Sequence, residues 1–192
     1  MKTVLVYFHL LSLAAAIGSM LIAEYLIFSR HRRFSHDSYD TVIFASQTAT
    51  VALLLLWLTG TGLVIVVYLG DPHYIENQKI WAKVSIVLLM SINGAYIHRW
   101  LLPRFADVAR GGLLIRTAAE SMRMRLAFAT SFSGWLITAF YGAAKFLNEG
   151  YYYGELYGLY LTAVVMVFVC SFLVPDHWIN HVHDADPVTG PG

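Results

Sequence analysis

Residues 42–69 read VIFASQTATVALLLLWLTGTGLVIVVYL, and this stretch contains no charged side chain. A helix of about 20 apolar residues crosses the ~30 Å hydrocarbon core of a bilayer. The stretch is therefore long enough to span a membrane with some tilt. The segment Gly70-Asp71-Pro72, which follows it, is typical of a helix end. We predict a membrane-spanning helix here.

Four further apolar blocks have the same character and extend over residues 3–28, 80–102, 126–147 and 156–174. Pro103 follows the third span and Pro175 the fifth. The composition agrees, because 58% of the chain is hydrophobic and only 13% is charged, against about 25% charge in soluble domains. The sequence therefore predicts an all-α fold. It is an integral membrane bundle of five transmembrane helices over residues 1–175, with a polar C-terminal tail over residues 176–192.

The arginines predict the sidedness of the bundle. They are concentrated in the loops after the first and third spans, namely Arg30, Arg32, Arg33, Arg104, Arg110, Arg116 and Arg123. Basic residues accumulate in cytoplasmic loops. We therefore predict that the N-terminus lies outside and the C-terminal tail inside. The net charge of +1 gives no indication of a nucleic-acid partner.

Ionisable side chains occur inside the otherwise apolar spans. With ~100° between successive residues of a helix, His9 shares a face of the first span with Ser12 and Ala16. A stripe of small and polar residues is typical of the face that a membrane helix turns toward its bundle. The third span carries Lys83 and the fourth Lys145, both near the predicted outer end. We expect His9 and the two lysines to converge there.

These side chains predict a haem site. A neutral imidazole is a common axial ligand of haem iron, so His9 is the predicted iron ligand. Small residues would form a slot for the porphyrin, and Lys83 and Lys145 would neutralise its propionates. The alternative interpretation is structural. In that case His9 only hydrogen-bonds a neighbouring helix, and the lysines extend toward the lipid headgroups.

Two further polar sets lie away from His9. Glu24 is more than a turn inside the first span, and we predict an ion pair with Arg99, with a proton path through Glu24 as the alternative. In the tail, His177 and His181 stand one helical turn apart and His183 follows. Imidazole suits zinc, copper or nickel, so this spacing is a weak indication of a second metal site.

Two shorter patterns have simpler interpretations. Residues 59–62 read TGTG within the second span, which predicts close helix packing rather than a phosphate-binding loop. Tyr151, Tyr152, Tyr153 and Tyr157 cluster where the fourth and fifth spans meet the predicted outer surface. Tyrosines at that depth are typical of an interfacial belt that anchors the protein in the bilayer.

Spans one and three carry a resemblance to a known family. Span one contains HLLSLAAAIG from His9 to Gly18, and span three contains WAKV at residues 81–84 and LLPRF at residues 101–105. These segments resemble a superfamily of small bacterial membrane proteins that includes CopD-type copper-resistance proteins and HemJ-type protoporphyrinogen oxidases. The resemblance covers roughly residues 5–105. It implies a bacterial inner-membrane location, and it implies that His9 and Lys83 take part in haem binding.

The sequence thus leads to one preferred function and two alternatives. The preferred prediction is a protein that binds haem b, or a related porphyrin, and acts in electron transfer or porphyrin oxidation, which would make it an oxidoreductase. The first alternative is transport of copper or another small solute, with His9 as a transient ligand. The second is an accessory subunit of a larger membrane complex. A homo-oligomer is a further arrangement compatible with the sequence.

Overall fold

The computed structural model describes residues 2–28, 36–109, 115, 117–148 and 150–176 of the 192-residue chain. Within these ranges the regular structure is helical. The α-helices of this part of the chain are α1 Lys2–Phe28, α2 His36–Tyr68, α3 Gln78–Tyr96, α4 Leu102–Ala109, α5 Ala118–Ala143 and α6 Tyr153–Ser171. Short 3-10 helices cover Pro72–Glu76 and Lys145–Asn148, and a π turn at Ile97–Leu101 joins α3 to α4.

Five stretches of the described chain are helical, long and apolar enough to cross a membrane. They are Lys2–Ile27, Asp37–Tyr68, Gln78–Asp107, Ala118–Ala143 and Tyr153–Ser171. Large apolar side chains such as Phe44 and Leu58 stand 70% and 71% exposed on their outer faces, as lipid requires and water does not tolerate over such an area. The prediction of an all-α bundle with five spans is confirmed.

The two ends of the bundle differ in character. Spans that alternate in direction bring Lys2, Tyr68 and Gln78 to one end, together with the start of α6. We call this the N-terminal end. The opposite end carries Arg99, Arg104, Arg123 and Arg125, and we call it the arginine-rich end.

Helix α1 packs most extensively on α2. The buried positions of α1 include Ser12, Ala16 and Ser19. Those of α2 are three, four or seven residues apart, as expected for one helix face, and include Ala45, Ala52, Leu56 and Thr59. Small side chains let two membrane helices approach closely. The prediction that the small-residue stripe of α1 faces the bundle is confirmed.

The other three spans form a second packed group, in which α5 contacts α6 and both contact α3. Gly134 of α5 packs tightly against α3, since a Cβ atom there would stand 2.6 Å from Cγ of Met90. Met90 is only 4% exposed and has little space into which it can move. Glycine at position 134 therefore sets the distance between α3 and α5.

We expect Gly134→Leu to lower the free energy of unfolding by about 1–3 kcal/mol, the usual cost of overpacking a core. SDS-induced unfolding in mixed micelles measures the change. The double variant Gly134→Leu/Met90→Ala should regain most of the loss, because it removes the obstructing side chain. Gly142→Leu on the same helix is the matched control, since a Cβ there meets nothing within 4 Å. Equal losses at positions 134 and 142 would contradict this account.

Polar side chains connect α2 to the helix formed by α3 and the π turn. Trp57 Nε1 donates a hydrogen bond to Ser91 Oγ at 3.0 Å, near the middle of the bundle. Toward the arginine-rich end, His98 Nε2 lies 2.8 Å from Thr50 Oγ1 and 3.1 Å from Ser46 Oγ. These three hydrogen bonds form what we call the polar seam, and they join the α1–α2 pair to the α3–α5–α6 group.

The predicted end of the third span at Pro103 is wrong. The helical path continues from α3 through the π turn into α4, and Pro103 is the second residue of α4. Proline is tolerated in the first turn of a helix, where its missing N–H is not needed. The π turn absorbs the change in hydrogen-bond pattern before it. The fourth span also begins earlier than predicted, at Ala118.

Candidate functional site around His9

His9 lies in α1 near the N-terminal end of the bundle, and Thr59 of α2 determines its orientation. His9 Nδ1 is 2.9 Å from Thr59 Oγ1. The Thr59 hydroxyl donates its proton to the carbonyl of Leu55 at 2.6 Å, so its oxygen acts as an acceptor toward His9. His9 Nδ1 must therefore carry the hydrogen. In the neutral imidazole this leaves Nε2 with the free lone pair.

The glycines of the TGTG segment bring α2 close to α1. A Cβ atom at Gly60 would stand 3.4 Å from Cε1 of His9, and one at Gly62 would stand 3.4 Å from Leu5. Side chains at these positions would press on the imidazole and on the leucine beside it. The prediction of close helix packing at TGTG is confirmed. Gly60 also helps to hold the His9 ring in place.

Lys83 belongs to the same end of the bundle. Its side chain is half-buried on α3 and lies within electrostatic range of His9. Lys79, one turn earlier on α3, also acts electrostatically on Lys83. The structure thus places His9 and Lys83 at the same end of the bundle, as their depths in the spans predicted.

Lys145 is exposed at the predicted end, as in the structural alternative, whereas Lys79 occupies a place that was not predicted. Lys145 begins a 3-10 helix at the N-terminal end, and its side chain is exposed. Lys79 is instead 5% exposed, and its Nζ donates to the carbonyl of Ala144 at 2.6 Å. Asn77 caps α3 through a hydrogen bond from the Lys79 backbone N–H, and this cap places Lys79 in the first turn. The sequence did contain one sign of this, because Lys79 lies one helical turn before Lys83 and therefore shares its face of α3.

The tyrosines at this end divide between surface and core. Tyr151 and Tyr152 are exposed, as interfacial anchors would be. Tyr153 and Tyr157 pack against the core with stacked rings 5.6 Å apart. The hydroxyl of Tyr153 also lies 3.1 Å from Ser85 Oγ on α3. The belt interpretation therefore applies to part of the cluster, and the rest joins α6 to α3.

Ion pairing at the arginine-rich end differs from the prediction. No hydrogen bond or ion pair joins Glu24 to another residue that the structure describes, and Arg99 is exposed. The buried cation is Arg125, which is 2% exposed and pairs with Asp176 at 2.5 Å. The expected Glu24–Arg99 pair is therefore absent from this part of the chain. Arg125 was not among the residues predicted to form a pair, although a buried arginine needs a carboxylate nearby.

Two cavities lie in the half of the bundle away from His9. A groove of about 630 Å³ between α3 and α5 is lined in part by Tyr96, Trp100, Arg104 and Arg123. A smaller cavity of about 130 Å³ is lined by Glu24 and by residues of α1, α2 and α5. His9 and Lys83 line neither of them. A ligand of His9 would instead have to use the part of the imidazole that stays exposed.

Donor sets for a metal are small in the described ranges. No group of three or more His, Cys, Asp or Glu side chains occurs within them. The predicted tail ligands His177, His181 and His183 lie outside the described residues. At the N-terminal end, His73 is exposed, and its hydrogen bond to Glu76 at 3.1 Å raises the pKa of the imidazole. A metal must displace the proton from an imidazole, and the raised pKa makes this harder at His73 than at an imidazole without a carboxylate partner.

Comparison with known proteins does not assign the chain to a family. No protein-family model matches the chain, and neither a curated protein nor a solved structure matches it. The resemblance to CopD-type and HemJ-type proteins therefore stays a prediction from the sequence. The function has to be argued from the residues around His9.

Proposed function

We propose that the chain binds haem b, or a related porphyrin, at the N-terminal end of its bundle and acts in electron transfer or porphyrin oxidation. One observation carries this proposal. Thr59 holds His9 in the tautomer whose Nε2 has a free lone pair, and that nitrogen has no hydrogen-bond partner among the described residues. An imidazole whose other nitrogen is fixed by a hydrogen bond is the usual protein ligand of a metal.

The surrounding residues fit such a ligand. Gly60 leaves the imidazole ring in contact with α2 without a side chain in between. Lys83 supplies a cation close to His9 that would pair with a propionate, and Lys145 supplies an exposed one at the same end. Bound haem would contribute reversible one-electron chemistry at its iron. The chain's own residues would position the haem, keep lipid away from its iron and compensate the charge of its propionates.

The proposed location is the bacterial inner membrane, with the N-terminal end of the bundle outside. The five spans support a multi-pass membrane protein. The arginines of the opposite end support the sidedness, because cytoplasmic ends are richer in Lys and Arg. The haem site would then face the outer leaflet. Copper transport has less support, because the described residues contain no cluster of metal-binding side chains.

A spectroscopic titration tests the proposal. Purified protein in detergent is titrated with haem b, and the Soret absorption band is followed. We expect a saturable shift of this band at one haem per chain. A band that increases linearly without saturation would show that haem only partitions into the micelle, and the proposal would then be rejected.

Thr59→Val is expected to weaken haem binding tenfold to a hundredfold, the usual effect of removing the hydrogen bond behind a metal-bound histidine. Valine keeps the shape of threonine but cannot accept the hydrogen from His9 Nδ1. The haem dissociation constant from the same titration measures the effect. Thr61→Val is the matched control, since Thr61 is an exposed threonine on the same helix. Equal affinities for the two variants would mean that Thr59 has no role in positioning His9.

A further inference from the structure

Glu24 is a wall residue of the partly open cavity of about 130 Å³ between the helices. Three serines from three helices share the wall with it, namely Ser19 of α1, Ser46 of α2 and Ser131 of α5. The rest of the wall is apolar and includes Phe105 and Trp135. A water molecule occupies ~30 Å³ of liquid, so the cavity has room for a few. A carboxyl and three hydroxyls are the polar partners that such waters require.

The carboxyl of Glu24 has no protein partner in the part of the chain that the structure describes. Glu24 is also the only titratable side chain among the residues that line the cavity. An unpaired carboxylate inside a membrane protein is costly, and such residues commonly bind protons or contact water. The geometry therefore leaves two partners for this carboxyl, namely water in the cavity and a proton.

Ser46 connects this cavity to the surface of the bundle. It lines the cavity, and its Oγ is also 3.1 Å from Nε2 of the exposed His98. Thr50 fixes the tautomer of His98, because the Thr50 hydroxyl donates to the carbonyl of Ser46 at 2.9 Å and its oxygen must accept from Nε2 at 2.8 Å. His98 Nε2 therefore carries a hydrogen that also points toward Ser46 Oγ. Its Nδ1 is then the basic nitrogen.

We propose that Glu24 is a proton-binding site that exchanges protons with the arginine-rich end through Ser46 and His98. A hydronium ion at the surface gives its proton to His98 Nδ1 and becomes water. His98 Nε2 passes its hydrogen to Ser46 Oγ, and Ser46 passes its own hydroxyl hydrogen to cavity water. That water protonates the Glu24 carboxylate. One proton moves inward, and each intermediate group regains the number of hydrogens it began with.

This site is independent of the haem proposal, since it lies in the other half of the bundle and uses none of the same residues. Infrared difference spectroscopy of the protein in nanodiscs tests it. Lowering the pH should produce the C=O stretch of a protonated carboxyl that is absent in Glu24→Gln. The isosteric change Glu76→Gln, at an exposed site in the loop before α3, is the control and should leave this band in place.

The path is tested by transferring the protein from H2O to D2O and following the shift of the Glu24 band. We expect Ser46→Ala and His98→Phe to slow this exchange at least tenfold. Identical difference spectra for the wild type and Glu24→Gln would overturn the proton site. A Glu24 band that exchanges at the wild-type rate in both path variants would overturn the assignment of Ser46 and His98.

Discussion

His9→Ala is expected to abolish the saturable Soret shift on haem titration, because it removes the imidazole that Thr59 holds with its Nε2 lone pair free. The loss should be complete rather than graded, unlike that of Thr59→Val, which leaves the ligand in place. Added imidazole should restore part of the band, since it can occupy the space that the side chain vacated.

Two other histidines provide matched controls for this experiment. His73→Ala changes an exposed histidine at the same end, and His98→Ala changes one at the arginine-rich end. Both variants should keep a saturable Soret band, because both leave the His9 ligand in place. A His9→Ala protein that retains the wild-type Soret band would refute haem ligation by His9. Loss of the band in all three variants would show a general effect on folding instead.

Arg125→Met is expected to lower the free energy of unfolding by about 3 kcal/mol, since several buried acceptors lose their donor. Arg125 bonds to Ser121 Oγ, to the backbone carbonyls of Ser171 and Val174, and to Asp176. Its guanidinium also lies 4.8 Å from the ring centre of Phe172. Methionine keeps most of the length of the side chain but none of these hydrogen bonds. SDS-induced unfolding in mixed micelles measures the loss.

Arg123→Met is the matched control, because Arg123 is exposed and forms no ion pair with a described residue. It should change the free energy of unfolding by less than about 0.5 kcal/mol, as is usual for surface positions. Similar losses in the two variants would mean that the buried network around Arg125 contributes little. In that case the end of α6 would be held by apolar packing alone.

The hydrogen bonds around Arg125 also make the stability of the fold depend on pH. Partial burial raises the pKa of Asp176, but hydrogen bonds from Ser121 and Arg125 and the charge of Arg125 lower it by more, so it lies below its usual range. A lowered pKa stabilises the fold above the pKa of the unfolded chain, and this stabilisation is lost as the pH falls through the pKa of the folded state. Arg125→Met should therefore lose less stability on acidification than the wild type does.

The spans and the inward face of α1 could be predicted because they depend on local properties. Length and apolar content determine whether a helix can cross a bilayer. The burial of Ser12, Ala16 and Ser19 follows from helical periodicity alone. The approach of His9 to Lys83 also followed from periodicity together with the depth of each residue. These features require no knowledge of which helices are neighbours.

The remaining features depend on which helices are neighbours, and a single sequence does not carry that information. Glu24 was paired with Arg99 by depth, but the helices turn these side chains in different directions. Thr59 was expected only to pack, and its role toward His9 depends on the contact between α1 and α2. Lys79 rather than Lys145 became the buried lysine because Asn77 caps α3 just before it. Pro103 was interpreted as a helix end because the π turn before it leaves no trace in composition.

The polar seam also determines how the two parts of the bundle are aligned along the membrane normal. Lipid tails are as apolar as the helix surfaces, so apolar contacts alone allow packed helices to slide. A slide of one helical turn, ~5.4 Å, would break the Trp57–Ser91 bond and both His98 bonds together. Hydroxyl, indole and imidazole groups thus fix the depth of α3 against α2, and through it the height at which Lys83 meets His9.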